Sequence, residues 1–384
     1  MRIQPVVASM LFLATAAGET VNFEGQPAAQ LENGRLQITV LMQGATLASI
    51  AFENDSTALN PLWNPARLAR DAGRGAQPFN GTLGHFVCVD GFGPVSAAES
   101  AAGLPGHGEA HLVKMELTRA LHSLTFRGTL PVVQEVFTRT FSMIPGENVV
   151  YVDSQLENLL GFDRPVNWAE HATVNFPFLE GGKTLIALSG TRSQTRPYDA
   201  NQPARGKGPP RTQRRLKPGE DFTWPMAPAL DGNKVDMSAI PTDPHYLDHA
   251  TTLFDPARKL EWVVALNPDR HLIYGYILRR EDYPWIQHWG NYTSTSELVR
   301  GLEFGTQPYD VPRREAIGLG TLFGVPTYRW LPAKGRIESH FLLFYSRTPD
   351  GLHKVDDVRL ESGNIIIEDR ADDKRLTMAA SRGL

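Results

Sequence analysis

Apolar residues occupy every second position over much of this chain. Leu36, Ile38 and Val40 follow that period, as do Ala48, Ile50 and Phe52. It returns with Phe137, Arg139 and Phe141 set against Val136, Thr138 and Thr140, and again at Val150, Val152, Ser154 and Leu156. Further strand-like runs span Glu261 to Leu266, Leu272 to Leu278, His340 to Ser346 and Ile365 to Glu368. Period two with one apolar face is the signature of a strand lying on a core. Past the N-terminal segment no stretch sustains the 3.6-residue period of a helix. Glycine (34) and proline (28) break the runs at short intervals, as hairpin turns do. The pattern predicts an all-β chain forming one large antiparallel β-sandwich, a sandwich rather than a closed barrel at this length.

The N-terminus opens with one cation, Arg2, followed by an apolar run from Val6 to Ala14 and small residues through Ala17. This is the layout of a secretory signal peptide over residues 1–17, which leaves 18–384 as a single domain in a periplasmic or secreted protein. The run is short for a membrane span, and no later segment is long and apolar enough to insert. A single cysteine, Cys88, excludes an internal disulfide, so an exported fold of this size must rest on its apolar core. Cys88 reads as a small buried apolar residue. The formal charge is −4 and becomes −5 without Arg2, which argues against nucleic acid as the partner and leaves a small neutral ligand open. A monomer or weak dimer is expected.

Two segments stand apart in composition. Residues 201–218, NQPARGKGPPRTQRRLKP, are rich in proline, glycine and cations; they form either a solvated loop or a basic lip over a charged sugar. The polar tail from Glu368 is expected to fray.

Candidate chemistry gathers in a few stretches. In Asn167 to Phe176, alternation sends Trp168, Ala172, Val174 and Phe176 to one face and His171, Thr173 and Asn175 to the other. Glu170 falls on the apolar side and calls for a bulge or a buried partner. His171 is either a satisfied structural histidine or a working group. In Leu298 to Gly305, Glu303 faces away from Leu298, Arg300, Leu302 and Phe304, and glycines stand two residues to either side of it. A carboxylate in such a hollow loses hydration and binds its proton more tightly, which prepares it for acid–base work; the alternative is an exposed glutamate on a weak edge strand. Trp63, Trp168, Trp285 and Trp289, with Tyr283 and Tyr292, offer flat faces for sugar C–H groups or are core residues. The stretch GLPGHGEAH, residues 103–111, holds His107 and His111 four apart in a segment unsuited to helix, where that spacing does not imply a metal. No GxSxG, P-loop, HExxH or CxxC pattern occurs, and neither a cofactor nor a metal is indicated.

Taken in order along the chain, these pieces resemble the aldose 1-epimerases (galactose mutarotases) and the related glucose-6-phosphate 1-epimerases. Asn167 to Phe176 is similar to that family's N-x-x-x-H-x-Y-F-N-L segment, Leu247-Asp248-His249 to its L-D-H element, and Arg300 to Asp310 to its G-x-x-L-E-T-Q-x-x-P-D strand. Gly84 to Gly93 followed by Leu104-Pro-Gly-His107-Gly is similar to paired motifs of the phosphosugar branch, and residues 31–65 to the N-terminal hairpins. The resemblance implies a β-supersandwich, a monosaccharide or the terminal sugar of a glycan as ligand, and interconversion of α and β anomers through ring opening. It implies His171 as general acid on the ring oxygen, Glu303 as general base on the anomeric hydroxyl, and His107 and Asp248 as ligands of substrate hydroxyls. A non-catalytic carbohydrate-binding protein on the same scaffold stays open, as does a polysaccharide-processing enzyme, for which Tyr292 is the first partner to seek near His171.

Overall fold

The structure is a computed structural model that describes residues 20–55, 59–75, 78–198 and 212–384. Residues 1–17, expected from the sequence to be a signal peptide, and residues 201–211 of the basic stretch lie outside the described residues. The expected all-β sandwich is the architecture found. A 12-stranded sheet runs, from one edge, through Val21–Phe23, Gln26–Glu32, Leu36–Leu41, Leu47–Phe52, His85–Val89, Trp168–Asn175, Leu298–Gly301, Trp285–Tyr292, Tyr246–Phe254, Gly190–Thr195 and Asp221–Thr223, with Glu303–Gly305 also pairing on both its neighbours. An eight-stranded sheet faces it, in the order Leu185–Leu188, Leu260–Asn267, Leu272–Arg279, Arg336–Arg347, Val149–Asn158, Glu135–Ser142, Ser123–Leu130 and Glu116–Ala120. All the ladder pairings between these strands are antiparallel.

The alternation fixes which side chains meet between the sheets. Ile38, Val87, Trp168, Val174, Ile286 and Phe304 of the larger sheet pack against Phe126, Phe137, Val152, Tyr276, Phe341 and Leu343 of the smaller. Several strands of the smaller sheet are apolar on their other face too, and that face is covered. The strands Asp357–Glu361, Asn364–Asp369 and Lys374–Ala379 form a third sheet whose Val358, Ile365, Ile367 and Met378 pack on Tyr151, Trp262, Val264, Ile273 and Phe344. The tail expected to fray is therefore a strand. Its sparse apolar residues, Met378 and Ala380, are spaced two apart, and burial of that one face outweighs the polar composition around it.

Among the described residues the three α-helices are short: Pro65–Asp71, Ala97–Ala101 and Arg313–Leu319. No helix among the described residues is long and apolar enough to cross a membrane. The outer face of the 12-stranded sheet is left open at its centre, and His107, His171 and Glu303 sit there.

Candidate active site on the open sheet face

The strand Trp168–Asn175 is buried along its whole length. Trp168, Ala172 and Val174 enter the core, and His171 faces outward, as alternation predicts. Glu170 has the buried partner its position demanded. Its carboxylate is ion-paired with Arg139, lies 2.8 Å from His85 Nε2, and accepts from Trp168 Nε1 at 3.1 Å and from the Tyr283 hydroxyl at 2.9 Å. Burial alone would raise its pKa, but Arg139 and His85 outweigh burial and hold it below the usual carboxylate value. This network anchors the histidine strand from behind.

Register then assembles a row of side chains across five strands. Phe86 stands opposite His171; Gln287 opposite Glu303; Thr251 opposite Gln287. Because Glu170 pairs with Phe304 and Thr173 with Gly301, His171 and Glu303 are direct cross-strand neighbours. His171 Nδ1 lies 3.3 Å from Glu303 Oε1 and 3.0 Å from Thr173 Oγ1. The imidazole stacks on Phe86 with centroids 4.2 Å apart, and Trp289 meets it edge-on at 6.0 Å. The two groups thus touch each other rather than flank a hollow.

Gly301 makes this contact possible. A Cβ there would lie 2.4 Å from Glu303 Oε1, so the glutamate folds back over the glycine toward His171. The sequence suggested that both flanking glycines leave a hollow around the carboxylate. Instead, Gly301 clears room for the carboxyl itself, and Gly305 lets the strand approach Ala169, whose Cβ would be 2.9 Å from an added one.

His171 and Glu303 are only 7% and 2% exposed. Burial pushes the Glu303 carboxyl well above the ordinary carboxylate range, Asp310 adds to that rise and Arg300 opposes it. Burial likewise pushes His171 well below the ordinary imidazole value, helped by His107. A dry pair this close holds one proton, and the surroundings put it on the carboxyl.

The GLPGHGEAH stretch folds as a strained loop against the same wall. His107 has φ +65° and Gly108 φ +75°, and a Cβ on Gly108 would lie 1.8 Å from the Val89 carbonyl oxygen, which makes glycine necessary there. His107 Nδ1 accepts from the Gly93 amide at 3.2 Å, and its ring centroid is 5.2 Å from that of His171. Buried Cys88 touches it through Sγ at 3.6 Å. Glu109 takes no part in the pocket: its carboxylate accepts from the Val132 and Val133 amides at 3.1 and 2.9 Å and pins the loop. His111 is buried, its Nδ1 has no hydrogen-bond partner, and burial followed by His107 pushes its pKa down to about 3. Among the described residues no group of three or more histidine, cysteine, aspartate or glutamate side chains is placed to hold a metal ion.

A cavity of about 500 Å³ opens over these residues, lined by His107, His171 and Glu303 together. Three of the four sequence candidates therefore converge. Asp248 does not: it is turned to the other side of its strand, where Arg215 holds both its oxygens at 2.6 to 3.2 Å. Its neighbours Leu247 and His249 face the cavity instead. The L-D-H motif was legible, but its register was not, since apolar and polar residues are mixed on both faces of Tyr246–Phe254. Of the aromatic candidates, Trp63 and Trp289 line the cavity with centroids 6.0 Å apart, while Trp168, Trp285, Tyr283 and Tyr292 are buried. Tyr292 lies on the core face, its hydroxyl accepting from Arg300, so it is no partner for His171. Sequence reasoning missed the far wall, formed by Arg196, Tyr198, Thr212, Arg214, His249, Asn291 and Asp310. The cations of residues 201–218 were the only signal for Arg214.

No protein-family model and no curated protein matches the sequence. Solved structures do match. A galactose mutarotase related enzyme from Lactobacillus acidophilus is 14% identical, with 87% of this chain and 100% of that one covered at a TM-score of 0.56. A galactose mutarotase-like protein from Clostridium acetobutylicum is 11% identical, with 86% and 98% covered and a TM-score of 0.56. A protein from Klebsiella pneumoniae, provisionally titled an aldose 1-epimerase, is 14% identical, with 84% and 80% covered and a TM-score of 0.56. The large antiparallel sheets, their order and these likenesses together give this chain the galactose mutarotase-like fold.

Proposed function

We propose that this chain is an exported aldose 1-epimerase-like enzyme that interconverts the α and β anomers of a sugar. The observation that carries this reading is the contact between His171 Nδ1 and Glu303 Oε1, 3.3 Å apart in a cavity walled by Trp63 and Trp289. Export rests on the signal-like residues 1–17.

Ring opening takes a proton from the hydroxyl on C1 and delivers one to the ring oxygen, which breaks the C1–O5 bond and leaves an aldehyde. The carbonyl end rotates, and closure reverses both transfers. One donor and one acceptor suffice, and a pair holding one proton supplies both without a cofactor. The family resemblance makes His171 the donor; burial in this pocket makes the Glu303 carboxyl the resting donor and neutral His171 the acceptor. Both assignments carry the same number of protons, so they share one pH–rate profile. Stacking on Phe86 and the bond to Thr173 fix the imidazole for either role.

Anomer exchange of a freshly dissolved aldose, followed by polarimetry or NMR, tests the proposal. His171→Ala and Glu303→Gln are each expected to lose roughly a hundredfold to ten-thousandfold in rate. Equal rates for both variants and the wild type reject it.

The slight exposure of the pair favours a second reading, a carbohydrate-binding protein without catalysis. Saturable sugar binding with no acceleration of exchange selects that reading.

A further inference from the structure

We infer that the cavity takes an acidic sugar carrying a single negative charge, a hexuronate or a sulfate ester, and that Arg214 receives that charge. The inference rests on the sugar-site reading above and concerns the wall that reading leaves unused.

Among the described residues, Arg196, Arg214 and Arg215 differ in what they meet. Arg215 spends its charge on Asp248, away from the cavity. Arg196 is paired with the Asp310 carboxylate and also donates through Nη2 to the Asp310 carbonyl at 2.9 Å. Arg214 faces no carboxylate among the described residues. Its guanidinium lies 3.7 Å over the Tyr198 ring, and its Nε and Nη1, both shielded from solvent, have no hydrogen-bond partner. Tyr198 is itself held in place, its hydroxyl donating to the Leu216 carbonyl at 3.1 Å. Arg214 is thus a cation oriented by stacking and lining the cavity. A guanidinium beside a cavity and without an ion pair lacks the charge-assisted bond that an anionic ligand oxygen would supply.

The charge count sets the class of anion. Arg196 and Asp310 cancel. Glu303 keeps its proton, and His171 and His249 lack theirs because burial opposes the imidazolium. His107 Nδ1 accepts from the Gly93 amide, so among the described residues lining the cavity one positive charge remains, on Arg214. A carboxylate or a sulfate ester neutralises it. A phosphate monoester, carrying about 1.5 to 2 negative charges at neutral pH, leaves an excess beside Asp310.

Titration calorimetry on the full chain with galacturonate, galactose 6-sulfate, galactose 6-phosphate and galactose tests the inference. The wild type is expected to bind the better of the two monoanions on the order of tenfold to a hundredfold more tightly than galactose, and more tightly than the phosphate. Which monoanion leads identifies the source of the charge. In Arg214→Gln the ratio of acid to neutral affinity is expected to fall to about one, and Arg214→Lys is expected to keep part of it. The wild-type ratio should also shrink as salt is raised, a readout that needs no variant to fold. A wild type that binds galactose as tightly as the acids, prefers the phosphate, or binds none of the four overturns the inference, as does a preference that survives Arg214→Gln. Anomer exchange is measured separately on the same samples. A preference without exchange removes the enzymatic reading and keeps this one; exchange without a preference does the reverse.

Discussion

The two glycines beside Glu303 are expected to fail in opposite ways when replaced by alanine. At Gly301 the new Cβ would sit 2.4 Å from Oε1 and 2.7 Å from Cδ of Glu303, whereas ordinary contact begins at 3.4 Å. The carboxyl must therefore retreat by about 1 Å, and the atoms that yield are the far end of a flexible side chain. Displacing a working group by about 1 Å can lower the rate roughly a hundredfold, close to 2.7 kcal/mol in the barrier. Folding should hardly change, because Gly301 has no left-handed backbone to lose and alanine restricts the unfolded chain slightly more. At Gly305 the Cβ would meet the Ala169 Cβ at 2.9 Å, with the Ala169 Cα and the Trp168 carbonyl oxygen at 3.2 Å, all on a buried strand that cannot swing aside. That overpacking should lower stability by about 1–3 kcal/mol. Anomer exchange measured by NMR, beside urea unfolding of the same preparations, separates the two outcomes. A Gly301→Ala variant with exchange within about threefold of wild type refutes the claim that Glu303 must lie against His171.

Three further outcomes follow from the packing. Glu170→Gln keeps the shape but leaves Arg139 buried without its counter-charge, so urea unfolding should show a loss of about 3–5 kcal/mol; less than 1 kcal/mol would mean the network is not what anchors the histidine strand. His111 binds a proton less tightly folded, at about pH 3, than unfolded, near pH 6.5, so protonation pulls the chain toward the unfolded state as pH falls through that window. His111→Phe should erase about 3 kcal/mol of the stability lost between pH 6.5 and pH 4, and an unchanged acid limb counts against it. Asp248→Asn removes a buried partner of Arg215 outside the cavity, so it should lower the unfolding free energy by about 1–3 kcal/mol while exchange stays within about threefold; a large rise in KM would return Asp248 to the site.

Much of the fold was legible because burial on one face leaves a period-two trace. Leu36 to Val40 and Glu261 to Leu266 are strands within one residue of the expected bounds, and His340 to Ser346 lies within a strand that begins four residues earlier, at Arg336. Glu170, a charge on the apolar side, announced a buried partner, and Arg139 is that partner. Register across strands left no such trace. Nothing local to residues 171 or 303 states that they stand opposite one another, since that depends on the whole ladder of the central strands. Asp248 misled for a related reason: in a strand with polar residues on both faces, a motif names the neighbourhood but not the member that looks outward. Arg214 lay in a stretch whose composition suggested charge without saying which cation was unspent. The tail was misjudged because Met378 and Ala380 are few, and what matters is the apolar sheet already waiting for them.

That last sheet ties the integrity of the molecule to residues 357–379. Trp262, Val264, Ile273 and Phe344 belong to strands that precede Asp357–Glu361, and their outward side chains stay wet until the third sheet covers them. A product cut short ahead of Asp357 would carry a broad sticky plate of its own making, prone to self-association and an easy target for quality-control proteases. These hairpins act as a seal over the outer face of the eight-stranded sheet.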